Sequence, residues 1–289
     1  MKFTFLGTGS AFCMNNYQTN ILVEDGKHKL LIDAGGDVRF ALAELGYTYK
    51  DLDAIYITHG HADHIGGIEY VSFCSYFDPS KNKIPLYCNK GLVDDLWNNA
   101  LSFGLSSVQG KVVNLNDYFN LEQIDSNGYF NWGSGKFEIV QAVHIMNGYT
   151  IVPTFGLMIT IGKKKIYFTG DTQFNPHQIE DFYEEADIII QDCETTKFCS
   201  RVHANYSELR TLKYETKRKM WLVHYQDLIL SSKYNDKKKL KSAANILGID
   251  VEKLKYRLSM ETIISEKWEK KAKEDAFKGF VEKGQTIEI

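Results

Sequence analysis

At 289 residues, with 44 % hydrophobic and 13 % aromatic side chains, the chain has enough apolar matter for a substantial core and fits one large domain or two small ones. A formal net charge of -3 supplies no global positive field, which disfavours extended nucleic acid as a partner and favours small or locally bound substrates. No apolar run approaches the roughly 18 residues that a membrane span requires.

The N-terminal stretch "MKFTFLGTGSAF" alternates apolar residues and then reaches a glycine turn, which predicts a first strand rather than a signal peptide. Further strands are expected over 20–23, 29–32 and 54–58, separated by Gly26 and the Gly35-Gly36 pair, with one helix over 38–45. Beyond the histidine cluster, a helix over 67–77 stops near Pro79 and a strand follows over 85–88. Leu92, Leu96, Leu101 and Leu105 predict a helix over 91–105, a candidate lid or oligomer contact. The second half repeats the style, with strands over 137–143, 154–161, 165–169, 188–192 and 220–223 and helices over 176–185, 207–214 and 236–247.

Two strand-rich halves, each followed by helices, predict an α/β fold in which two packed sheets carry helices outside, an αββα sandwich. No Pro-, Gly- or Ser-rich linker divides it, so a single domain over 1–289 is expected, with a charged C-terminal extension over 250–289. In that extension Leu254, Leu258, Ile263 and Trp268 are spaced helically and "KGQTIEI" predicts a closing strand, either capping the core or mediating self-association. Cys13, Cys74, Cys88, Cys193 and Cys199 are odd in number and lack CxxC spacing, which suits a reducing cytoplasm. Runs such as 163–165 and 237–239 read as solvated turns.

The chemistry concentrates in "THGHADHIGG" at 58–67. Period-two spacing sends His59 and His61 to one side, whereas Asp63 and His64 fall on a tight turn opening a helix, giving two pairs able to grip different ions. Imidazole nitrogen with carboxylate oxygen suits zinc, and in part manganese or iron. A lone histidine is usually a satisfied core residue; three with an aspartate at a strand end are not. Further donors are expected where strands stop: His144 after "FEIVQAV", Asp171 after "KIYFTG" and His224 after "KMWLV".

The HxHxDH pattern of His59, His61, Asp63 and His64, with the later donors in order, resembles the metallo-β-lactamase superfamily over residues 1 to about 230. The resemblance implies two divalent cations, zinc or alternatively manganese. One would be held by His59, His61 and His144, the other by Asp63, His64 and His224, with Asp171 bridging. Asp33, in "LLIDAGG", matches the family's early aspartate, which supports the ligand turn through hydrogen bonds. An aspartate rather than a cysteine at the bridging position resembles the phosphodiesterase, nuclease and glyoxalase branches, against β-lactam hydrolysis.

"FLGTGSAF", "DCETT" and "RVHANYSEL" resemble the tRNase Z-like branch and imply that Glu194 and His203 stand near the scissile phosphate. The chain departs from that branch by lacking the histidine before Glu194. It also has only residues 145–170 between His144 and Asp171, where tRNA-processing members carry a long clamping arm. The armless pattern resembles the cyclic-nucleotide phosphodiesterases of phages and bacteria that include the anti-Pycsar proteins. That likeness implies hydrolysis of cyclic CMP and cyclic UMP, and also cyclic AMP and GMP, by a homodimer in the (host) cytoplasm that counters immune signalling. No membrane or stable nucleic-acid partner is implied.

In the implied mechanism Asp63 takes a proton from water, while His203, oriented by Glu194, contacts the phosphate or protonates the leaving ribose oxygen. Trp97, Phe103, Phe119, Tyr149 and Phe155 are candidates for the wall behind the base. The rival readings are a tRNA 3′-processing endonuclease, a glyoxalase-type thioester hydrolase, and a binding module, which should have lost at least one ligand.

Overall fold

A computed structural model of the chain describes residues 1–226 and 266–289 and isolated positions between 241 and 253. Its first sheet is laid down by β1 (Lys2–Gly7), β2 (Asn20–Asp25) and β3 (His28–Ile32), an antiparallel meander. Three parallel strands extend it: β4 (Ala54–Ile57), β5 (Pro85–Asn89) and, after a two-stranded ribbon of β6 (Ser107–Val108) and β7 (Lys111–Val112), β8 (Asn120–Ile124). The second sheet begins with the antiparallel β9 (Tyr129–Trp132), β10 (Gly135–Met146), β11 (Ile151–Ile161) and β12 (Lys164–Phe168). It continues with parallel β13 (Ile188–Asp192), β14 (Met220–Val223) and β15 (Gly279–Phe280). The last strand, β16 (Thr286–Glu288), returns to pair with β1, Phe3 opposite Ile287.

Period-two alternation decides which face each residue buries. Leu30 and Ile32 of β3 join Phe3, Phe5, Phe137, Leu157, Ile159 and Phe168 between the sheets. Leu31 points the other way, onto Val38, Leu42, Ile68 and Val71 of the helices over the first sheet. The second sheet mirrors this, with Tyr167, Ile189 and Leu222 packing on Ile179 and Tyr183 of the Pro176–Glu185 helix and on Leu209. Helix, sheet, sheet and helix thus stack as the αββα sandwich expected from the strand and helix order.

Where expectation and structure part, local polarity explains it. β8, "NLEQI", and β9, "YFNW", are outermost strands of their sheets and mix exposed with buried positions, so their alternation is faint. The helix expected over 91–105 is present as one continuous helical run over 90–105, which opens with a 3₁₀ turn and carries a π segment over Leu96–Leu101. That over 207–214 divides into Tyr206–Leu209, capped by Asn205, and Tyr214–Lys217. The helix expected over 236–247 and the positions Leu254, Leu258 and Ile263 lie almost wholly outside the described residues. In the described tail, Trp268 of the Glu266–Glu274 helix meets the Tyr206 ring edge-on at 5.1 Å, capping the outer face of the second sheet.

The glycines of "HIGG" are steric. The Gly67 amide bonds the Ala34 carbonyl at 2.7 Å, drawing the histidine turn against the Asp33 turn so closely that a β-carbon would collide with Val38 and the Gly35 carbonyl. Gly67→Ala should therefore destabilise the fold by about 1–3 kcal/mol, measured by urea unfolding; an unchanged midpoint would contradict this close packing.

Candidate metal centre

The strands that carry the candidate donors end at one edge of the sandwich. Asp33 follows β3, Thr58 and His59 follow β4, Asp171 follows β12, Asp192 ends β13 and His224 follows β14. Open sheets collect functional residues at the carboxyl ends of parallel strands in this way. His144 differs from expectation: β10 runs on to Met146 and its register shifts between Val143 and Ile145, so His144 sits at a bulge that re-aims its side chain rather than at the strand's end. Asp33 and His224 both hold left-handed backbone, at φ 62° and 61°, a conformation costly for side-chain-bearing residues and concentrated at functional sites.

The imidazoles are fixed from behind. His64 Nδ1 meets Asp33 Oδ2 at 2.7 Å, and His144 Nδ1 donates to the Val202 carbonyl at 2.8 Å. Thr58 Oγ1 donates to Asp33 at 2.8 Å and so accepts from His59 Nδ1 at 3.1 Å. His224 Nδ1 faces Asp192 Oδ1 at 3.4 Å. Three rear nitrogens are thus hydrogen-bonded and that of His224 faces a carboxylate, so four Nε2 atoms and His61 Nδ1 turn inward.

They form two groups. His61 Nδ1 lies 3.0 Å from His59 Nε2 and 3.1 Å from His144 Nε2. Asp63 Oδ2 lies 3.2 Å from both His64 Nε2 and His224 Nε2. Between the groups, Asp171 Oδ2 stands 3.3 Å from His64 and His224 Nε2 and 3.8 Å from His59 and His144 Nε2. Bonds of 2.0–2.1 Å at tetrahedral angles would set donor atoms roughly 3.3 Å apart, close to these spacings. His64 Nε2 is moreover buried without a hydrogen-bond partner, as a nitrogen reserved for a cation would be. The donor set fits divalent metal.

The electrostatics agree. Asp33, Asp63, Asp171 and Asp192 are all buried, and among the described residues they pair with histidines and with no lysine or arginine. Burial pushes the Asp171 carboxyl up, but His224 and His64 outweigh it and hold the group ionised, well below the usual carboxylate range. Burial lowers His64 and His224, yet the surrounding aspartates leave both well above the ordinary imidazole value. His59 shows the opposite balance: burial and the His64 charge drive it well down, keeping its lone pair free. The carboxylate charge that raises His64 and His224 is the charge a divalent cation would neutralise.

Asp33 touches no inward-facing donor except through His64, so its effect should be graded. Asp33→Asn is expected to weaken metal affinity by about 10–100-fold, read by competition with a chromophoric chelator. Unaltered affinity would contradict the bracing role.

The structure corrects the role expected for Glu194. His203 Nδ1 bonds Asp192 Oδ2 at 2.8 Å, whereas Glu194 Oε2 accepts from the Ser200 amide at 2.9 Å and from Asn205 Nδ2 at 3.2 Å. Glu194 therefore braces its own loop, and Asp192 is the residue that orients His203. The rule that picks Asp171, a polar residue closing a largely apolar strand, extends to Asp192 after "IIIQ". The His203 ring lies 5.0 Å from that of His144 and 4.7 Å from that of His224, against the centre.

Of the aromatic candidates, Phe119 and Phe155 are core and cannot form a wall for a ligand. Trp97 packs against the first core, while Phe103 and Tyr149 are exposed. No described helix is long and apolar enough to cross a membrane, and none of the five cysteines forms a disulfide among the described residues.

Comparisons with known proteins accord with this architecture. The anti-Pycsar protein Apyc1 of Bacillus phage vB_BveM-Goe7 is 33 % identical over 241 residues, covering 78 % of this chain and 89 % of the relative. Its counterpart in Paenibacillus sp. (strain J14) is 31 % identical over 230 residues, covering 78 % and 90 %. Among solved structures, the metallo-beta-lactamase fold protein YhfI from Bacillus subtilis matches with a TM-score of 0.67 at 18 % identity, covering 99 % of each chain, a likeness of fold. The family model described as anti-Pycsar protein Apyc1 matches residues 1–244, a span that contains every inward-facing donor, and the chain belongs to that family.

Proposed function

We propose that this chain is a binuclear metal-dependent phosphodiesterase that opens 3′,5′-cyclic mononucleotides, cyclic CMP and UMP together with cyclic AMP and GMP, to 5′-nucleotides. The observation that carries the reading is the pair of donor groups joined through Asp171 Oδ2. In this reading His59, His61 and His144 hold one cation, Asp63, His64 and His224 the other, and Asp171 both. The mixed nitrogen and oxygen shell suits zinc and admits manganese. When bound, such a pair supplies Lewis acidity toward the phosphoryl oxygens and solvent activation near neutral pH.

The chain's own groups handle the protons. In the overall step a bond forms between phosphorus and the oxygen of water, and the bond from phosphorus to O3′ breaks. Asp63 takes the proton that water loses, and His203, held by Asp192, gives one to O3′. Burial lowers the His203 imidazole, but Asp192 outweighs it and raises it above its usual value, so the acid form is available near neutrality.

A small substrate is supported by β10, β11 and β12, which absorb nearly all of residues 145–170 into the sheet and leave no clamping arm in that segment. The anti-Pycsar name of the relatives supports a role against cyclic-nucleotide immune signalling, in a host cytoplasm where the gene is phage-borne. A homodimer belongs to the same reading and is checked by sedimentation. The deciding experiment incubates zinc- or manganese-loaded protein with each of the four cyclic mononucleotides, a precursor tRNA and an acyl-glutathione. Release of 5′-nucleotides is the expected result; cleavage of the RNA or the thioester with all four cyclic nucleotides intact would overturn it.

A further inference from the structure

We propose that the cavity on the far side of His203, between the loop at 10–12 and the segment 194–203, is the nucleoside pocket, with Phe12 as the plate on which the base stacks. The inference rests on the phosphodiesterase reading and extends it to the part of the substrate that the metal centre does not touch. The cavity has a volume of about 300 Å³, and its lining includes Ser10, Phe12, Glu194, Thr196, His203 and Gln226. That size is near the lower end for small-molecule sites and suits one nucleoside rather than a strand. Because His203 forms one wall while its ring abuts His144 and His224, a phosphodiester at the centre would direct its sugar and base into this space.

Phe12 is 93 % exposed, yet its loop is tied down. The Ser10 amide bonds the Tyr225 carbonyl at 3.1 Å, the Cys13 amide bonds the Ser10 carbonyl at 3.1 Å, and Gln18 Nε2 bonds the Ala11 carbonyl at 3.1 Å. A bare aromatic ring on a braced loop beside a cavity is a stacking platform whose ordering entropy is already spent.

The polar lining complements it. Both donors to Glu194 reach Oε2, so Oε1 takes no partner among the described residues. Gln226 accepts from the Thr195 amide and hydroxyl through Oε1, at 2.6 and 3.1 Å, which leaves its Nε2 as a donor. Every nucleobase presents at least one N–H and one acceptor on its edge, so this pair recognises a base without selecting among the four. The loop that Glu194 braces is thereby part of substrate binding.

The test compares equilibrium binding of cytidine 5′-monophosphate and of ribose 5-phosphate, which lacks the base, to zinc-loaded wild type and Phe12→Ala. Exposure of Phe12 makes the variant safe for folding. Wild type should bind the nucleotide at least about tenfold more tightly, the scale of one base stacked on an aromatic ring. Phe12→Ala should erase most of that advantage and leave ribose 5-phosphate unchanged. Equal binding of the two ligands by wild type, or an advantage that survives in Phe12→Ala, would overturn the pocket. A base-dependent advantage lost in Phe12→Ala without turnover of any cyclic nucleotide would retain the pocket and remove the phosphodiesterase reading; turnover without the advantage would do the reverse.

Discussion

Asp171→Ala is expected to lose bound metal and hydrolytic activity together, with kcat/KM falling by at least about 10³-fold, as removal of several kcal/mol of transition-state stabilisation requires. A single oxygen, Asp171 Oδ2, stands within 3.8 Å of four inward imidazole nitrogens drawn from both donor groups. No other side chain among the described residues has that position. Its loss removes the anion that stands between the two donor groups and leaves His64 and His224 facing fewer carboxylates, so the effect should exceed that of any outer brace. The measurement is elemental analysis of dialysed variant beside wild type, with rates on a cyclic nucleotide. Full metal content at the wild-type rate would show that the centre is not organised around Asp171. The comparison with Asp33→Asn is informative because Asp33 bonds His64 from the rear: that variant should load at higher metal concentration and recover rate, whereas Asp171→Ala should not.

The convergence of these donors was legible because each lies just beyond an apolar run, and the ends of parallel strands are brought to one edge by the sheet itself. Asp171 after "KIYFTG" and His224 after "KMWLV" follow that rule, and the HxHxDH turn carries its own spacing. His144 was reached by the same reasoning although its strand continues, since the bulge that re-aims it leaves no mark in an apolar, β-branched run. Asp192 is less legible for a different reason. It closes the apolar run of β13 much as Asp171 closes that of β12, but the resemblance points two residues on, to Glu194, and hydrogen-bond partners at that range depend on how the loop at 195–204 folds back. Phe119 and Phe155 could not be separated from a ligand wall by composition, because burial is decided by which face of a strand or turn meets the opposite layer. β8 and β9, each at one edge of its sheet, leave little mark in the sequence because Asn120, Glu122 and Gln123 make β8 mostly polar and the aromatic Tyr129 stands on the exposed face of β9.

His203→Ala should lower kcat on cyclic nucleotides by about 10²–10⁴-fold, the usual worth of a positioned general acid, while metal content stays at the wild-type level. The imidazole is half-buried against the centre and is held at 2.8 Å by Asp192, whose other oxygen faces His224 Nδ1 at 3.4 Å. Burial alone would depress the His203 pKa; the Asp192 charge reverses the sign and raises it. An acid must be protonated to act, so the rate falls as pH rises through this pKa, and Asp192→Asn, by lowering it, should move the alkaline limb of the profile to lower pH. Leaving-group chemistry separates proton donation from mere packing. A 4-nitrophenyl phosphodiester expels a stable phenolate that needs no proton, so His203→Ala should cost much less on that substrate than on a cyclic nucleotide whose ribose oxygen is a poor leaving group. Equal losses on the two substrates, or an alkaline limb that stays put in Asp192→Asn, would assign His203 to binding the phosphate rather than to protonating the leaving oxygen.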